Sequence, residues 1–276
     1  MTYTQLYRQC RKSLSNPSAD FDLSQLFKGQ FGEAALIHNG ETEVSPDEAF
    51  IFQHKIRRLA DGYPLQYLLG EWEFYSVSLK VGEGVLIPRP DTETLIDTAL
   101  MLAKGIEAPV IADLGAGSGA ISLALAANIP DAFVWAVEIS EQALPFLYQN
   151  ISQSGFSNQI TVVQADMLKP LDLPALDLIV SNPPYLTKAE MDEIPKQVSF
   201  EPAMALDGGE DGLDFYRVII EAAPGLLKPE GKLILEAGWR QSADIIALLE
   251  RSGYTGIGVQ KDLAGIDRSI YATANQ

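Results

Sequence analysis

The stretch VIADLGAGSGA, which occupies residues 110–120, decides the fold of this chain. Its apolar start runs directly into a loop that carries glycine at every second position, Gly115, Gly117 and Gly119, and a helical pattern follows. Glycine lets a chain turn tightly and approach a ligand, while free N–H groups at the start of a helix can point toward that ligand. The stretch therefore predicts a strand, a tight turn and a helix that line a crevice at the carboxyl end of a parallel sheet.

The ligand of this loop stays open at this point. Gly115, Gly117 and Ala120 also satisfy the GxGxxG/A pattern of dinucleotide-binding proteins, so NAD is one candidate. Glu138 ends the next predicted strand, where a carboxylate can accept hydrogen bonds from both hydroxyls of an adenosine ribose. Asp166 follows the strand after that, where an adenine amino group would lie. Because the carboxyl ends of parallel strands meet at one sheet edge, we expect these two acids to lie close together.

Short apolar segments alternate with helical ones around this stretch, which is typical of a parallel sheet covered on both faces. The predicted strands are Val110–Leu114, Phe133–Glu138, Ile160–Gln164, Leu176–Ser181, Lys232–Glu236, Gly256–Gln260 and Arg268–Thr273. The predicted helices are Thr92–Lys104, Gly119–Asn128, Glu141–Ser154, Asp214–Leu227 and Ser242–Ser252. The last two strands are too close in sequence for a helical crossover, so they should pair antiparallel at one edge. The pattern predicts an α/β, doubly wound, seven-stranded, mostly parallel sheet with an antiparallel edge strand.

Three segments with different patterns predict the domain organisation. Residues 1–70 show helical spacing of apolar residues, and Ser45, Pro46 and Glu48 form a capping-box signature, which predicts a small N-terminal helical domain. Residues 71–89 approach a period of two, with Gly82 and Gly84 supplying a turn, and predict a β-hairpin linker. Residues 90–276 hold the predicted sheet.

Composition excludes several classes of function. The chain has 37 acidic and 20 basic side chains and a formal charge of −17, with no basic stripe, which disfavours binding to nucleic acid. Most of the acidic excess lies beyond residue 72, where 28 acidic face 13 basic side chains. Cys10, His38 and His54 offer little for a metal site. Without an apolar leader or an apolar run long enough for a membrane span, we expect a cytoplasmic protein, and we expect a monomer.

The motif NPPY at residues 182–185 follows the fourth predicted strand and indicates the chemistry. Two prolines remove two donors and fix two φ angles, so the loop is a stiff arm. The side-chain oxygen of Asn182 and the next carbonyl oxygen can both accept from a substrate NH₂ group, and Tyr185 offers a flat face for a planar amide or base. Such an arrangement orients a poorly nucleophilic nitrogen and stabilises the positive charge that develops on it during methyl transfer.

The glycine loop together with NPPY resembles the class I amino-methyltransferases, whose members act on DNA adenine or cytosine, on ribosomal RNA guanine, or on glutamine. Three further stretches are similar to one subfamily, the release-factor glutamine methyltransferases of HemK/PrmC type. These stretches are LIPRPDTE (86–93), FEPAMALDGGEDGL (200–213) and KDLAGIDR (261–268). The resemblance covers essentially the whole chain, including the helical start and the hairpin. It implies the Rossmann-like class I methyltransferase fold.

The resemblance also implies the reactants and the site. The cofactor is expected to be S-adenosylmethionine, with S-adenosylhomocysteine as product, and the methyl acceptor the glutamine in the Gly-Gly-Gln loop of a peptide-chain release factor. The cofactor-binding residues are expected to be Asp113 near the ammonium group, Gly115, Ala116, Gly117, Ser118, Gly119, Glu138, Asp166, Met167 and Asn182. Met167 stands where the family is expected to carry an aromatic residue. Catalysis is expected from Asn182, Pro183 and Tyr185, and binding of the acceptor amide from Asn182, Pro183, Pro184 and Tyr185.

Several points remain open from the sequence. A nucleic-acid amino-methyltransferase acting on an adenine or guanine amine would share the NPPY chemistry, although the charge disfavours it. Arg89 and Glu93 flank the start of a predicted helix and act either directly or only as structural anchors. The N-terminal helices are candidates for substrate docking. The acidic excess fits an electropositive protein partner.

Overall fold

The computed structural model describes residues 1–37 and 39–275, so His38 lies outside the described residues. These residues form two compact units: Met1–Glu71 with Pro195–Phe200, and Trp72–Ile194 with Glu201–Gln276. Within the described ranges, every helix is too short or too polar to traverse a lipid bilayer.

The first unit is built from helices that pack around aromatic residues. Phe27 contacts the rings of Tyr3, Tyr7 and Phe52 at centroid distances of 5.9, 5.3 and 5.3 Å. The predicted capping box is confirmed, because Ser45 Oγ accepts from the Glu48 N–H and the Glu48 carboxylate accepts from the Ser45 N–H. The helices are α1 (Tyr3–Arg11), α2 (Ala19–Phe31), α3 (Ala34–Ile37), α4 (Pro46–Ala60) and α5 (Leu65–Leu69).

The hairpin exists, but its predicted turn is wrong. Strands β1 (Glu71–Phe74) and β2 (Val77–Lys80) pair with each other and are joined by Tyr75 and Ser76, whose φ angles are +47° and +61°. Two successive residues with positive φ match the tight turn that suits the twist of a hairpin. Gly82 and Gly84 lie after β2, where a side chain would be blocked. A Cβ on Gly82 would come 2.8 Å from the Phe146 ring, and one on Gly84 would come 2.8 Å from the Gln142 Cβ.

The predicted sheet is confirmed in the second unit, where the described residues form seven strands in the order β5-β4-β3-β6-β7-β9-β8. The strands are β3 (Val110–Leu114), β4 (Phe133–Glu138), β5 (Ile160–Gln164), β6 (Leu176–Ser181), β7 (Leu227–Glu236), β8 (Thr255–Lys261) and β9 (Asp267–Thr273). The helices are α6 (Glu93–Ala103), α7 (Ala120–Asn128), α8 (Leu144–Ser154), α9 (Lys188–Asp192), α10 (Asp214–Ala222) and α11 (Ser242–Arg251). The antiparallel pair β8 and β9 lies at one edge, with β9 also antiparallel to β7.

Two boundaries differ from the prediction near Pro224. Helix α10 ends at Ala222 instead of continuing to Leu227, and a short 3₁₀ helix, Ala223–Gly225, follows it. Strand β7 begins at Leu227, five residues earlier than predicted, and pairs with Leu176 across a register shift. Proline cannot donate a helical hydrogen bond, so the helix stops and the chain turns early into the sheet.

The register places the functional loops side by side. Leu114 at the end of β3 is paired with Val137 on one side and with Ser181 on the other. Glu138 is paired with Gln164, and Ser181 with Leu235. The carboxyl ends of β5, β4, β3, β6 and β7 therefore form one continuous edge, where ligands of open α/β sheets bind.

Candidate active site

The glycine loop turns between β3 and α7 through backbone conformations that favour glycine. The φ angles of Gly115, Gly117 and Gly119 are +81°, +57° and +87°, and a Cβ on Gly115 would come 2.7 Å from the Met167 Cε. The sequence pattern predicted free N–H groups at the start of the helix, and it did not predict that four N–H groups of the loop itself are hydrogen-bonded within the protein. Those of Gly115 and Ala116 donate to the Val137 carbonyl at 2.9 and 3.0 Å, that of Gly119 to the Ala116 carbonyl, and that of Gly117 to Glu138.

The loop is therefore fastened to the neighbouring strand, and the Glu138 carboxylate is part of the fastening. Its two oxygens accept from the N–H groups of Gly117 and Ser140, each at 2.7 Å. Glu138 is buried but still reaches the wall of the cavity described below. Because each carboxylate oxygen can accept more than one hydrogen bond, the side chain is held in place with acceptor capacity remaining.

Asp113 lies beneath the loop, fully buried. Its Oδ2 accepts from the Ser122 N–H at 3.0 Å and from the Ser122 hydroxyl at 2.6 Å. Its Oδ1 is buried and has no hydrogen-bond partner among the described residues. Burial raises the pKa of Asp113 to about 7, and the bonds from Ser122 act in the opposite direction. One oxygen of this carboxyl group therefore remains available to a donor that the described residues do not supply.

A cavity of about 330 Å³ opens at this edge of the sheet. It brings together six of the predicted cofactor residues: Gly115, Gly117, Glu138, Asp166, Met167 and Asn182. The other four, Asp113, Ala116, Ser118 and Gly119, are buried behind the wall. The sequence interpretation missed further wall residues from other segments, namely Gly84, Val85, Leu86, Ile139, Ser140, Ala143, Pro202, Met204, Ala205, Asp207 and Phe215.

The NPPY arm is fixed on several sides. Ser181, just before it, donates from Oγ to the Leu114 carbonyl at 2.7 Å, which ties the arm to the glycine-loop strand. Gln241 donates from Nε2 to the Tyr185 carbonyl at 2.9 Å and to the Gly212 carbonyl at 3.1 Å. Gly208 lies against the arm so closely that a Cβ would come 2.8 Å from the Pro184 carbonyl oxygen.

Within the arm, the structure distributes the predicted residues unequally. Asn182 and Pro184 line the cavity, while Pro183 is buried and Tyr185 is half-buried outside its wall. Burial, with the nearby Glu236 charge, raises the pKa of Tyr185 to about 12, so the phenol is neutral at physiological pH. Asn182 donates from Nδ2 to the Thr92 hydroxyl at 3.2 Å. Thr92 had no assigned role in the sequence interpretation, because nothing in the motif indicates this contact across 90 residues.

Arg89 and Glu93 have structural partners. The Arg89 guanidinium pairs with Glu201 at 2.5 Å, and the other Glu201 oxygen accepts from the Ile87 N–H at 3.0 Å. This pair joins the LIPRPDTE stretch to the FEPAMALDGGEDGL stretch beside the cavity. Glu93 accepts from the Tyr75 N–H at 3.4 Å.

The fold and the crevice define a methyltransferase of the class I type, and the comparisons agree. The family model described as "Methyltransferase small domain" matches residues 92–251, and "PrmC N-terminal domain" matches residues 5–70. The catalytic domain of hMettl16, solved in complex with the MAT2A 3′UTR hairpin 6, has a TM-score of 0.61 and 18% identity over 87% of this chain and 86% of that chain. At that identity the likeness shows the fold alone.

The sequence relatives narrow the class to one family. The chain is 44% identical to the release factor glutamine methyltransferase of Moorella thermoacetica, over 86% of this chain and 84% of the relative. It is 39% identical to the release factor glutamine methyltransferase of Geobacter sulfurreducens, over 85% and 82% of the two chains. The chain belongs to the release factor glutamine methyltransferase family, as its sequence motifs had predicted.

Proposed function

We propose that this chain methylates the side-chain amide nitrogen of the glutamine in the Gly-Gly-Gln loop of a peptide-chain release factor, with S-adenosylmethionine as the methyl donor. The observation that carries the proposal is the position of Asn182, which lies on the wall of the same cavity as Glu138 and the glycine loop. Family membership supports the substrate class. Because release factors act in translation, the reaction is proposed to take place in the cytoplasm.

The residues around the cavity fit S-adenosylmethionine. Glu138 is held by two backbone N–H groups and has acceptor capacity for the ribose hydroxyls. The unpartnered Oδ1 of Asp113 suits the ammonium group of the methionine part, directly or through a water molecule. Asp166 and Met167 lie on the wall, where they would border the adenine. Bound there, the cofactor would supply a methyl group activated by a positively charged sulfur.

The arm would orient the amide nitrogen of the substrate, which is a weak nucleophile by itself. The amide lone pair is delocalised, so the nitrogen is a weak nucleophile and must be oriented toward the methyl group. Asn182 Oδ1 and the Pro183 carbonyl oxygen would accept from the glutamine NH₂ group and would stabilise the positive charge that develops on its nitrogen during methyl transfer. The methylated nitrogen is then strongly acidic and loses a proton to water. For Tyr185 to pack beside the amide plane as a neutral ring, the acceptor must extend beyond the cavity wall, because this ring lies outside it.

Two further parts of the chain are proposed to recognise the protein substrate. The acidic excess beyond residue 72 would attract a basic partner and speed encounter. Residues 1–70 would serve as a docking domain, followed by the hairpin linker of residues 71–89 and the catalytic domain of residues 90–276. On α4, Phe50 and Ile51 are 65% and 50% exposed, and exposed apolar side chains of this size are suited to a protein contact.

Methyl transfer to a release factor tests the central proposal. Purified protein is incubated with methyl-labelled S-adenosylmethionine and a release factor, and in parallel with the same factor carrying alanine for the loop glutamine. We expect label only in the first reaction. Equal labelling of both factors, or label transferred to an RNA or DNA duplex instead, would refute the proposal.

The docking role has its own test, which compares the whole release factor with a short peptide around the glutamine as substrates. The double variant Phe50→Ser/Ile51→Ser is expected to raise KM for the whole release factor by about tenfold, as for a lost apolar contact in an interface. The KM for the peptide is expected to stay unchanged. A variant with unchanged KM for the whole factor would contradict the docking role of this surface.

A further inference from the structure

Asn182 is the first member of a row of polar side chains that leads from the cavity wall into the interior. Asn182 Nδ2 donates to the Thr92 hydroxyl at 3.2 Å, and the Thr92 side chain lies beside the Glu236 carboxyl group and favours its ionised form. Thr92 is 4% exposed and Glu236 is 1% exposed. Thr92 ends a 3₁₀ helix, Pro90–Thr92, and Glu236 ends β7. Three segments that are distant in sequence thus meet at the residue that faces the substrate.

The donor and acceptor roles of these side chains are ordered when Glu236 is ionised. A carboxylate only accepts hydrogen bonds, so it favours a Thr92 hydroxyl whose proton points toward Glu236. The Thr92 oxygen is then available to accept the N–H of Asn182, as it does at 3.2 Å. The amide of Asn182 cannot rotate by half a turn without placing its oxygen against another oxygen. The order of donors therefore fixes which end of the amide remains for the substrate, independently of how its oxygen and nitrogen are assigned.

The surroundings of Glu236 combine charges of both signs. Burial, with the charge of Asp91, raises the pKa of Glu236 to about 7, while Arg268, on β9, and Arg89 favour the ionised form, so the carboxyl group is mainly ionised at pH 8. Arg268 is itself buried, and it is paired with Asp262 at 3.1 Å and with Asp91 at 3.2 Å. Tyr185 and Tyr216 also face this carboxyl group.

The second oxygen of Glu236, Oε2, is buried without a hydrogen-bond partner among the described residues. An unsatisfied carboxyl oxygen in the interior lowers the stability of the folded state. If the side chain at this position only filled space, an apolar residue would make the folded state more stable. The cost indicates that the carboxyl group has a role other than filling space.

We propose that Thr92 and Glu236 are positioning residues that orient the Asn182 amide, so that Oδ1 is presented to the NH₂ group of the methyl acceptor. The inference rests on the proposed function, because an acceptor that offers an NH₂ group requires an oxygen at this point. In the flipped orientation, Asn182 would oppose the substrate NH₂ with its own N–H groups. The substrate nitrogen would then lose one of its two aligning contacts.

Thr92→Val tests this role, since valine keeps the shape of threonine and removes the hydroxyl. At pH 8, kcat for the release factor is expected to fall by about 10- to 100-fold, as for a misaligned reacting group, while the affinity for S-adenosylhomocysteine stays within about twofold. Thr92→Ser restores the hydroxyl and is expected to recover kcat to within about threefold of the unmodified protein. Glu236→Gln keeps one acceptor oxygen but adds a competing donor, so its loss of kcat is expected to lie between those of the two Thr92 variants.

Thr98→Val is the matched control. Thr98 is on α6, is 1% exposed, and donates its hydroxyl proton to the Thr94 carbonyl at 2.8 Å within the same helix. Thr98→Val removes a hydroxyl that is as deeply buried as that of Thr92 but that has no contact with Asn182 in the structure. The kcat of this variant is therefore expected to match that of the unmodified protein. A Thr92→Val kcat within twofold of normal, an equal loss in Thr92→Ser, or an equal loss in Thr98→Val would overturn the proposal.

A spectroscopic measurement separates this inference from the proposed function. The side-chain NH₂ resonances of Asn182, assigned by their loss in Asn182→Ala, are followed in ¹⁵N-labelled protein with S-adenosylhomocysteine. In Thr92→Val they are expected to move toward the positions of an unbonded amide, and in Thr98→Val to stay in place. This result supports the orientation even if the unmodified protein fails to methylate a release factor. Resonances that are identical in Thr92→Val and the unmodified protein would refute it.

Discussion

The two halves of the crevice are built in different ways. The cofactor half is a short run of chain, residues 113–119, fastened to the next strand mainly by backbone bonds such as those from Gly115 and Ala116 to Val137. The acceptor half is the arm of residues 182–185, fastened largely by side chains from segments 90 and 56 residues away, namely Thr92 and Gln241. A site built from the backbone of one short segment can be predicted from the sequence. A site held by side chains from distant segments can be predicted only in part.

The largest expected effect is a loss of kcat on substitution of Asn182, which would distinguish the acceptor half from the cofactor half. Asn182→Ala removes an acceptor for the substrate NH₂ and is expected to lower kcat by about 10²- to 10³-fold, the range seen when one preorganised group of this kind is lost. Affinity for S-adenosylhomocysteine, measured by calorimetry, is expected to change only a few-fold. Asn128→Ala, at the exposed end of α7, is the control and is expected to change neither quantity. Equal losses of kcat and cofactor affinity in Asn182→Ala would place this residue in the cofactor half.

The ion pair beside the acceptor half gives the next effect. The Glu201 side chain is 1% exposed, so Arg89→Ala leaves a buried carboxylate without its charged partner, and we expect unfolding to become easier by about 2 kcal/mol. Arg217→Ala removes an arginine whose partners Asp211 and Asp214 have side chains 51% and 60% exposed, and is expected to cost less than about 0.5 kcal/mol. Urea unfolding of both variants measures the difference. Similar losses would mean that the burial of Glu201 does not matter.

A smaller effect tests the glycine loop. Gly115 and Gly155 have φ angles of +81° and +84°, so alanine at either position is expected to lower stability by about 1 kcal/mol through backbone strain. A Cβ on Gly115 also meets Met167 on the cavity wall, whereas a Cβ on Gly155 meets nothing within 4 Å. Only Gly115→Ala is therefore expected to weaken binding of S-adenosylhomocysteine, by about tenfold. Unchanged binding in Gly115→Ala would show that Met167 moves aside.

The last prediction concerns pH. Burial raises the pKa of Asp113 from 3.8 to about 7, so between these values the folded state holds a proton that the unfolded state has released. The contribution of Asp113 to the free energy of unfolding therefore falls as pH rises from about 4 to about 7 and is level above that. Asp113→Asn is expected to show a shallower fall between pH 5 and pH 8 in denaturant titrations.

Asp262→Asn provides the control for this pH dependence. The Ile266 N–H and the Arg268 side chain hold the pKa of Asp262 below its usual value, so its contribution is lost only in stronger acid. Between pH 5 and pH 8 the slope of the Asp262→Asn variant is expected to equal that of the unmodified protein. A slope in Asp113→Asn that also equals the unmodified one would contradict the proposed proton uptake on Asp113.

Features that depend on local sequence patterns were predicted correctly more often than contacts between distant segments. Strands β3 to β6 were predicted with their observed bounds, because buried parallel strands are short apolar runs ended by punctuating residues. The hairpin turn was wrong, because Tyr75 and Ser76 adopt positive φ without the usual glycine or asparagine. The sequence pattern did not predict that Val137 accepts from two loop N–H groups, because that contact depends on strand pairing. The roles of individual site residues stay predictions until the variants are measured.

The sequence by itself determined the alternation of strands and helices, the glycine turn, the stiff arm and the family, since each depends on residues that are neighbours along the chain. Only the tertiary structure decided which groups hold the arm and the stretches beside the cavity: Thr92 on Asn182, Gln241 on Tyr185, and Glu201 on Arg89. The physical reason is that a hydrogen bond or ion pair acts over a few ångströms in space, and sequence patterns report such proximity only within one element or between elements of fixed topology.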